Sequence, residues 1–510
     1  MAASSSSNDV YESYAASLSA YNEEHALAEE MVPLVGKLYR ENSLVCIVFG
    51  NGLVNGSVMD ILKVHKSVRH LLPAYSSGLS VSETLPLVRA MLSLGSELGP
   101  SRVDLGKLSV LYRTEHGAAI DGSNDDAVAE FVRKHAAPVL GSGPLLAEGK
   151  DVVLYGFGRI GRLVARVLLG RIGSGDALVL RAIVVRPHMD EVDDLHKRAS
   201  LLRRDSTHGK FKGMISVDEE ARAIVVNGVR IQVIYSGSPG EIDYTQYGIN
   251  DAIVIDNTGK WRDEAGLGLH LQSKGVGKVV LTAPAKGGIP NIVMGVNSEG
   301  LDIGGQIYAA ASCTTNAVCP PLVVLGQAFS IEAIHIETIH AFTNDQNLLD
   351  NFHKKERRGR SAPLNLVLTE TGAAKAVAAA LPQYAGKITG SAIRCPTPNV
   401  SLAILILTLD RETTAEEINE ILREASIRGP LQRQIGFSNS REAASTDMVG
   451  SRATCVIDAP STIVKGTRVN LYCWYDNEFG YSVQVARLVQ TLAGVHHPQI
   501  PVEFEFSDSA

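Results

Sequence analysis

The stretch that most constrains this fold begins at Asp151-Val152-Val153-Leu154-Tyr155, an apolar run leading straight into Gly156-Phe157-Gly158-Arg159-Ile160-Gly161. A helical pattern follows from about Arg159 to Leu169, and a second apolar run covers Leu178 to Val185. Short continuous apolar runs separated by a helix read as strands covered on both faces, in a parallel sheet. Strand, glycine turn, helix and strand together are the context in which G-x-G-x-x-G reads as dinucleotide-binding. Gly156 permits the tight turn, Gly158 lets the backbone approach a pyrophosphate, and Gly161 lets the helix pack closely on its strand.

A chain of 510 residues suggests two to four domains. Hydrophobic content of 45% with 20% charged residues is ordinary for a globular protein. The net charge of -7 argues against nucleic acid or an anionic membrane as the main partner. Cys46, Cys313, Cys319, Cys395, Cys455 and Cys473 are scattered without a C-x-x-C pair, which reads as reduced thiols rather than a disulfide scaffold or zinc site. No apolar stretch reaches the roughly 18 residues a membrane span needs. The Ser-rich start soon carries Asp9, Glu12, Glu23 and Glu24, which fits neither a transit nor a signal peptide, so the expected location is cytoplasmic.

Residues 20–42, 57–72, 81–97 and 124–138 show helical periodicity, with Asn124 and Asp125 as caps for the last. Leu44 to Phe49 fits a short strand or a buried turn, and Gly141-Ser142-Gly143-Pro144 reads as a linker. Residues 1–148 therefore read as a mostly helical module of open role. The expected boundaries are a dinucleotide-binding domain at 149–312, completed by 477–510, and a catalytic domain at 313–476.

Ala311-Ser312-Cys313-Thr314-Thr315-Asn316 places a thiol among small hydroxyl and amide residues just before a segment able to start a helix. A thiol becomes a good nucleophile when its thiolate is stabilised, and a helix N-terminus or an imidazolium does this. Ser312 and Thr314 add the hydroxyls and N–H groups that an anion needs.

Ser312-Cys313-Thr314-Thr315-Asn316 resembles the active-site segment of phosphorylating glyceraldehyde-3-phosphate dehydrogenases. In the same order come Asp205-Ser206-Thr207-His208-Gly209, Asn257-Thr258-Gly259, Thr282-Ala283-Pro284-Ala285-Lys286, Thr371-Gly372-Ala373-Ala374-Lys375, Arg394-Cys395-Pro396-Thr397-Pro398-Asn399-Val400 and Trp474 to Tyr481. The resemblance covers roughly residues 150–510. It implies a Rossmann domain plus an α+β catalytic domain, an α/β protein overall, behind the helical N-terminal module. It also implies NAD or NADP as cofactor, glyceraldehyde 3-phosphate and inorganic phosphate as substrates, and a homotetramer.

By the same resemblance Cys313 is the nucleophile and His340 its acid–base partner. His340 closes a strand-like run, 331–340, on which His335 serves as the non-catalytic control. A neighbouring imidazole is expected to draw a thiol below its free value of about 8.5. The cofactor set is Gly156, Phe157, Gly158, Arg159, Ile160, Gly161, Arg186, Thr258, Gly259, Thr282 and Asn477, with Asn477 holding the nicotinamide carboxamide. Thr343 and Arg394 are expected at the substrate phosphate. Ser312, Thr314, Thr371, Gly372 and Arg358 are expected at the attacking phosphate, where a guanidinium binds in two-pronged fashion.

Two positions depart from the family. Arg186 stands where the family usually has Asp; it suits a 2′-phosphate and so NADP, or it simply faces solvent. Asp345 stands where Thr is commonest, which loosens the choice between glyceraldehyde 3-phosphate and erythrose 4-phosphate. A regulatory protein on a dehydrogenase scaffold is the third alternative.

Overall fold

A computed structural model describes residues 7–170, 178–187 and 189–504. The first six residues, on which the leader expectation partly bears, and residues 505–510 lie outside the described residues. The described residues form two compact units: residues 7–147 with 496–504, and the remainder.

In the first unit the helix Ser7–Asn42 buries Ala28, Met31, Val35, Leu38 and Tyr39. That three-and-four spacing lines up one face of the helix. This helix packs on Val81–Leu94, and Arg89 grips Glu30 across the pair with two hydrogen bonds of 2.8 Å. The helix Val58–Ser67 begins with a reciprocal Ser57/Asp60 capping box, and Asn124 caps Asp125–Ala136. Besides helices, the unit carries a four-stranded sheet in the order Asn51–Gly52, Leu44–Val48, Ser101–Asp104, Gln499–Ile500. Leu44–Val48 is thus a strand, while Ser101–Asp104 and the helix Leu105–His116 were not expected. Gln499 and Ile500 pair in parallel with Arg102 and Val103. The expectation that 477–510 completes the dinucleotide-binding domain therefore divides. Phe479–Leu492 packs on Arg159–Leu169 in the second unit, but from His496 onward the chain belongs to the first unit, because its backbone joins that sheet.

The second unit is built on two sheets. The first runs Ile307–Ala309, Val276–Leu281, Ala252–Asp256, Lys150–Tyr155, Leu178–Val185, Val229–Tyr235, Ala223–Val226, Ile215–Asp218, parallel up to Val229–Tyr235 and antiparallel beyond. Its central strands are buried almost throughout, as their unbroken apolar runs require. This is a Rossmann sheet. The second sheet runs Val367–Thr369, Ile388–Cys395, Ile331–Ala341, Ser401–Leu409, Arg468–Tyr475, Cys455–Asp458, Ile435–Ser438. One face of it (Ile334, Ile336, Leu405, Leu407) packs under the helix Cys313–Ala328 through Val318, Leu322 and Leu325. Inward and outward residues alternate along Ile331–Ala341, so His335 pairs with Thr389 on the half-exposed face while His340 is buried at the strand's end.

Candidate active site

The glycine turn is built as its residues demand. Gly156 adopts φ +92°, and a Cβ on Gly161 would stand 2.4 Å from the Gly156 carbonyl oxygen. A Cβ on Gly158 would meet nothing within 4 Å, so space is kept on the ligand side of the turn. Gly156, Phe157, Gly158, Arg186 and Thr258 line a cavity of about 380 Å³. Thr258 is fixed there, its N–H and hydroxyl both donating to Asp256 Oδ1 at 2.7 Å. These features fit the adenosine and pyrophosphate portions of a dinucleotide. Arg198, which sequence reasoning missed, joins Arg186 on this wall. It donates to the Arg186 carbonyl (2.9 Å) and pairs with the buried Asp194.

A larger cavity, about 560 Å³, adjoins through Asn257 and is lined by Arg159, Ile160, Thr282, Ser312, Cys313, His340, Thr343 and Asn477, among others. Cys313 occupies the first position of the helix Cys313–Ala328. Ser312 is the cap, its Oγ accepting from Thr315 N at 3.0 Å, and this leaves the next side chain, the thiol, uncommitted to the helix. Ala311 just before it holds φ +53°, a conformation costing a non-glycine residue about 1–3 kcal/mol.

Cys313 Sγ lies 3.6 Å from His340 Nε2. His340 Nδ1 lies 2.7 Å from the Ala341 carbonyl oxygen. With Nδ1–H donating there, the Nε2 lone pair faces the thiol. Arg394 Nη1 donates to the same carbonyl at 2.9 Å and sits 2.8 Å from Nδ1. Burial, reinforced by the Arg394 charge, pushes the His340 pKa down to about 3. Burial also pushes the Cys313 thiol up, against the opposing pull of Arg394 and the Thr314 N–H. The expected lowering of the thiol by His340 is thus reversed. A buried, neutral imidazole offers a proton acceptor but no positive charge.

Asn477 is buried, and its Oδ1 accepts from Ser401 Oγ at 3.0 Å, so the amide NH2 is the end left to donate. Ser401 Oγ also accepts from Ala341 N at 3.1 Å, tying the histidine strand to Asn477. Arg159 does not point freely at a ligand. It grips Glu478 at 2.5–2.6 Å and Asp205 at 2.9 Å. His208 links that cluster to Asp476 at 2.9 Å. These bonds fix the Asp476-Asn477-Glu478 turn from the start of the helix Arg159–Leu169 and from the segment 205–208.

The phosphate residues divide. Thr343 lines the reaction cavity, with Arg394 Nη1 3.4 Å from its hydroxyl. Thr314 turns to Tyr475 (3.1 Å), while Thr371 and Gly372 start the helix Ala373–Ala380, where Thr371 Oγ1 accepts from Ala373 N. Arg358 pairs closely with Asp345, which also accepts from the Thr343 hydroxyl, and it donates to Thr369 at 3.2 and 3.3 Å. Burial works against the Asp345 charge, yet the Thr343 hydroxyl and Arg358 hold its carboxyl below the usual range. Arg358 and Gly259 line a third cavity rather than the reaction cavity. Ser401 and Tyr475 escaped sequence reasoning because nothing local to them signals a partner so far along the chain.

Comparison with known proteins identifies the family. The family described as "Glyceraldehyde 3-phosphate dehydrogenase, NAD binding domain" matches residues 150–264, and "Glyceraldehyde 3-phosphate dehydrogenase, C-terminal domain" matches 312–477. A glyceraldehyde-3-phosphate dehydrogenase-like protein of Pseudomonas aeruginosa is 54% identical over 92% of this chain and 100% of its own length. That span exceeds the second unit, so part of the first unit is shared with it. Glyceraldehyde-3-phosphate dehydrogenase 1 of Bacillus subtilis is 40% identical over 67% of this chain and 98% of its own. The chloroplastic GAPB form of Arabidopsis thaliana is 37% identical over 82% and 91%. With a Rossmann unit suited to NAD or NADP beside a cysteine–histidine pair, the chain belongs to the glyceraldehyde-3-phosphate dehydrogenase family.

Proposed function

We propose that the protein is a phosphorylating glyceraldehyde-3-phosphate dehydrogenase. The observation that carries this reading is the 3.6 Å approach of Cys313 Sγ to His340 Nε2 at a helix N-terminus. His340 Nε2 takes the thiol proton and the sulfur adds to the aldehyde carbon, giving a hemithioacetal. The developing oxyanion is met by the Cys313 backbone N–H at the helix start and by protonated His340, which gives it the proton and returns to the neutral form. An oxidised nicotinamide held in the groove beside Asn477 would supply the hydride acceptor for that carbon. His340 takes the hydroxyl proton as the carbonyl reforms, leaving a thioester on Cys313. Inorganic phosphate attacks the thioester, and the acyl phosphate leaves as the sulfur departs. Asn477, braced by Ser401, orients the carboxamide, while Thr343 and Arg394 hold the substrate phosphate. For the attacking phosphate, Arg358 must exchange its Asp345 partner for the anion.

Arg186 and Arg198 together favour NADP over NAD, since a guanidinium suits a 2′-phosphate and cannot accept from a ribose hydroxyl. Leu348, Leu349, Phe352, Leu364, Leu366 and Leu368 stand 58–91% exposed, an apolar surface that supports the homotetramer. All six cysteines are free, and no described helix is long and apolar enough to cross a membrane; the thiols support a cytoplasmic location.

The test is formation of reduced nicotinamide by the purified full chain from glyceraldehyde 3-phosphate, orthophosphate and either cofactor. Orthophosphate-dependent turnover with a higher kcat/KM for NADP is expected. Faster turnover of erythrose 4-phosphate would reassign the substrate. No turnover with either aldehyde would put the regulatory reading in its place.

A further inference from the structure

Beside the two cavities described lies a third, about 470 Å³, lined by Lys260, Arg262, Lys286, Lys354, Lys355 and Arg358, with Asp263 and Asp345 as its carboxylates. Both carboxylates are already engaged. Asp345 is held by Arg358 and Thr343, and Asp263 accepts from Gly266 N at 2.9 Å as the cap of Glu264–Leu271. Lys286, Lys354 and Lys355 have no ion-pair partner among the described residues, and Lys260 Nζ meets only the Trp261 ring, 4.5 Å from its centroid. Like charges gathered in a concavity repel each other and focus a positive potential, which an anion relieves.

We propose that this cavity is a binding site for a small polyphosphorylated anion, distinct from the cofactor groove and from the substrate-phosphate position, and sharing only Arg358 with the position of the attacking phosphate. Its cations come from two walls. Lys260, Arg262 and Lys286 stand on the Rossmann side, and Lys354, Lys355 and Arg358 on the segment after Thr343. Six cations against two engaged carboxylates leave more positive charge than a single phosphate neutralises, whereas two or three linked phosphates match it. The volume is that of a small-molecule site rather than a protein-docking face. Lysines, as point charges with three rotatable donors, suit such a flexible polyanion. Arg262 also lines the reaction cavity and Lys260 the adenosine cavity. An anion bound here would therefore lower the positive potential that both neighbours offer their own phosphates.

The experiment is calorimetric titration of inorganic tripolyphosphate into the full chain saturated with NADP, repeated on Lys354→Ala/Lys355→Ala and on Lys286→Ala. Saturable binding near one per chain is expected, weakened about tenfold or more in the double variant and less in the single one, with NADP affinity unchanged. The proposal falls if no saturable binding occurs or if the double variant binds as well as the parent. Displacement by excess NADP would assign the anion to the cofactor groove, and displacement by millimolar orthophosphate to the reaction's phosphate positions; either overturns it. So would tighter binding of a poly-glutamate peptide than of tripolyphosphate. Because binding is read directly, loss of the dehydrogenase reading and loss of this site are separately visible.

Discussion

Asp104, in the first unit, and Cys313, in the second, both follow a parallel strand and stand where a helix begins. Asp104 caps its own helix: its carboxylate accepts from Lys107 N at 3.2 Å and from Phe49 N and Gly50 N at 2.8 and 3.3 Å. Both carboxylate oxygens there accept from backbone N–H groups. At Cys313 the preceding residue does the capping, the backbone is strained at Ala311, and the thiol faces an imidazole at 3.6 Å and the Thr314 N–H. The same local architecture thus gives a structural joint in one place and an unspent nucleophile in the other. The difference is one residue of register between cap and side chain.

Breaking the reactive joint should have the largest effect. Cys313→Ala is expected to abolish oxidation of the aldehyde, read as reduced-nicotinamide formation, with the urea unfolding midpoint little changed. Residual turnover near that of the parent would show the reaction does not pass through this sulfur. Next is His340→Gln, expected to lower kcat by about 10² to 10⁴ through loss of the proton acceptor. A smaller drop would mean that Arg394 and the helix N-terminus suffice to ionise the thiol.

A weaker effect concerns acidity. Because burial raises the Cys313 thiol, its alkylation by iodoacetamide in cofactor-free protein should rise about tenfold per pH unit, and keep rising beyond the free-thiol value of about 8.5. The sign follows from the direction of the shift: a raised thiol pKa leaves less thiolate at neutral pH. A rate already flat at pH 7 would show a preformed thiolate and sink the neutral-pair description.

Turning to the first unit, Asp104→Ala should cost about 1–3 kcal/mol by leaving buried N–H groups unpaired, seen as an earlier urea transition. Activity per folded molecule should stay at the parent value. A fall in kcat at constant folded fraction would mean that this joint, too, serves the chemistry.

The comparison also explains what could be read from the chain alone. Gly156, Gly158 and Gly161 were legible because their roles are set within six residues, by the turn and the helix they begin. Cys313 and His340 were legible through the small polar residues around one and the strand ending at the other. The helices of the first unit showed in their periodicity, but Ser101–Asp104 did not, since four residues carry too little pattern. Gln499–Ile500 was placed with the wrong domain because a two-residue strand takes its partner from tertiary packing. Ser401 and Tyr475 were invisible for the same reason: their bonds to Asn477 and Thr314 join separate strands and a helix start. Arg358 was expected at a phosphate, but its pairing with Asp345 depends on a loop conformation that no local pattern encodes.

The smallest expected effect tests the register difference itself. Ser312 was expected at the attacking phosphate, yet its hydroxyl accepts from Thr315 N and lies 2.7 Å from Thr315 Oγ1. If the hydroxyl serves as a cap, Ser312→Ala should lower stability by about 1 kcal/mol, and Ser312→Asp, which can still cap, should restore most of it. The KM for orthophosphate separates the two roles. A cap alone predicts that Ser312→Ala leaves it within about twofold, whereas a phosphate ligand predicts a rise of about tenfold, the worth of a hydrogen bond to a charged group. An unchanged unfolding midpoint with a raised KM would return Ser312 to the reaction and leave the thiol's helix without the cap that distinguishes it from Asp104.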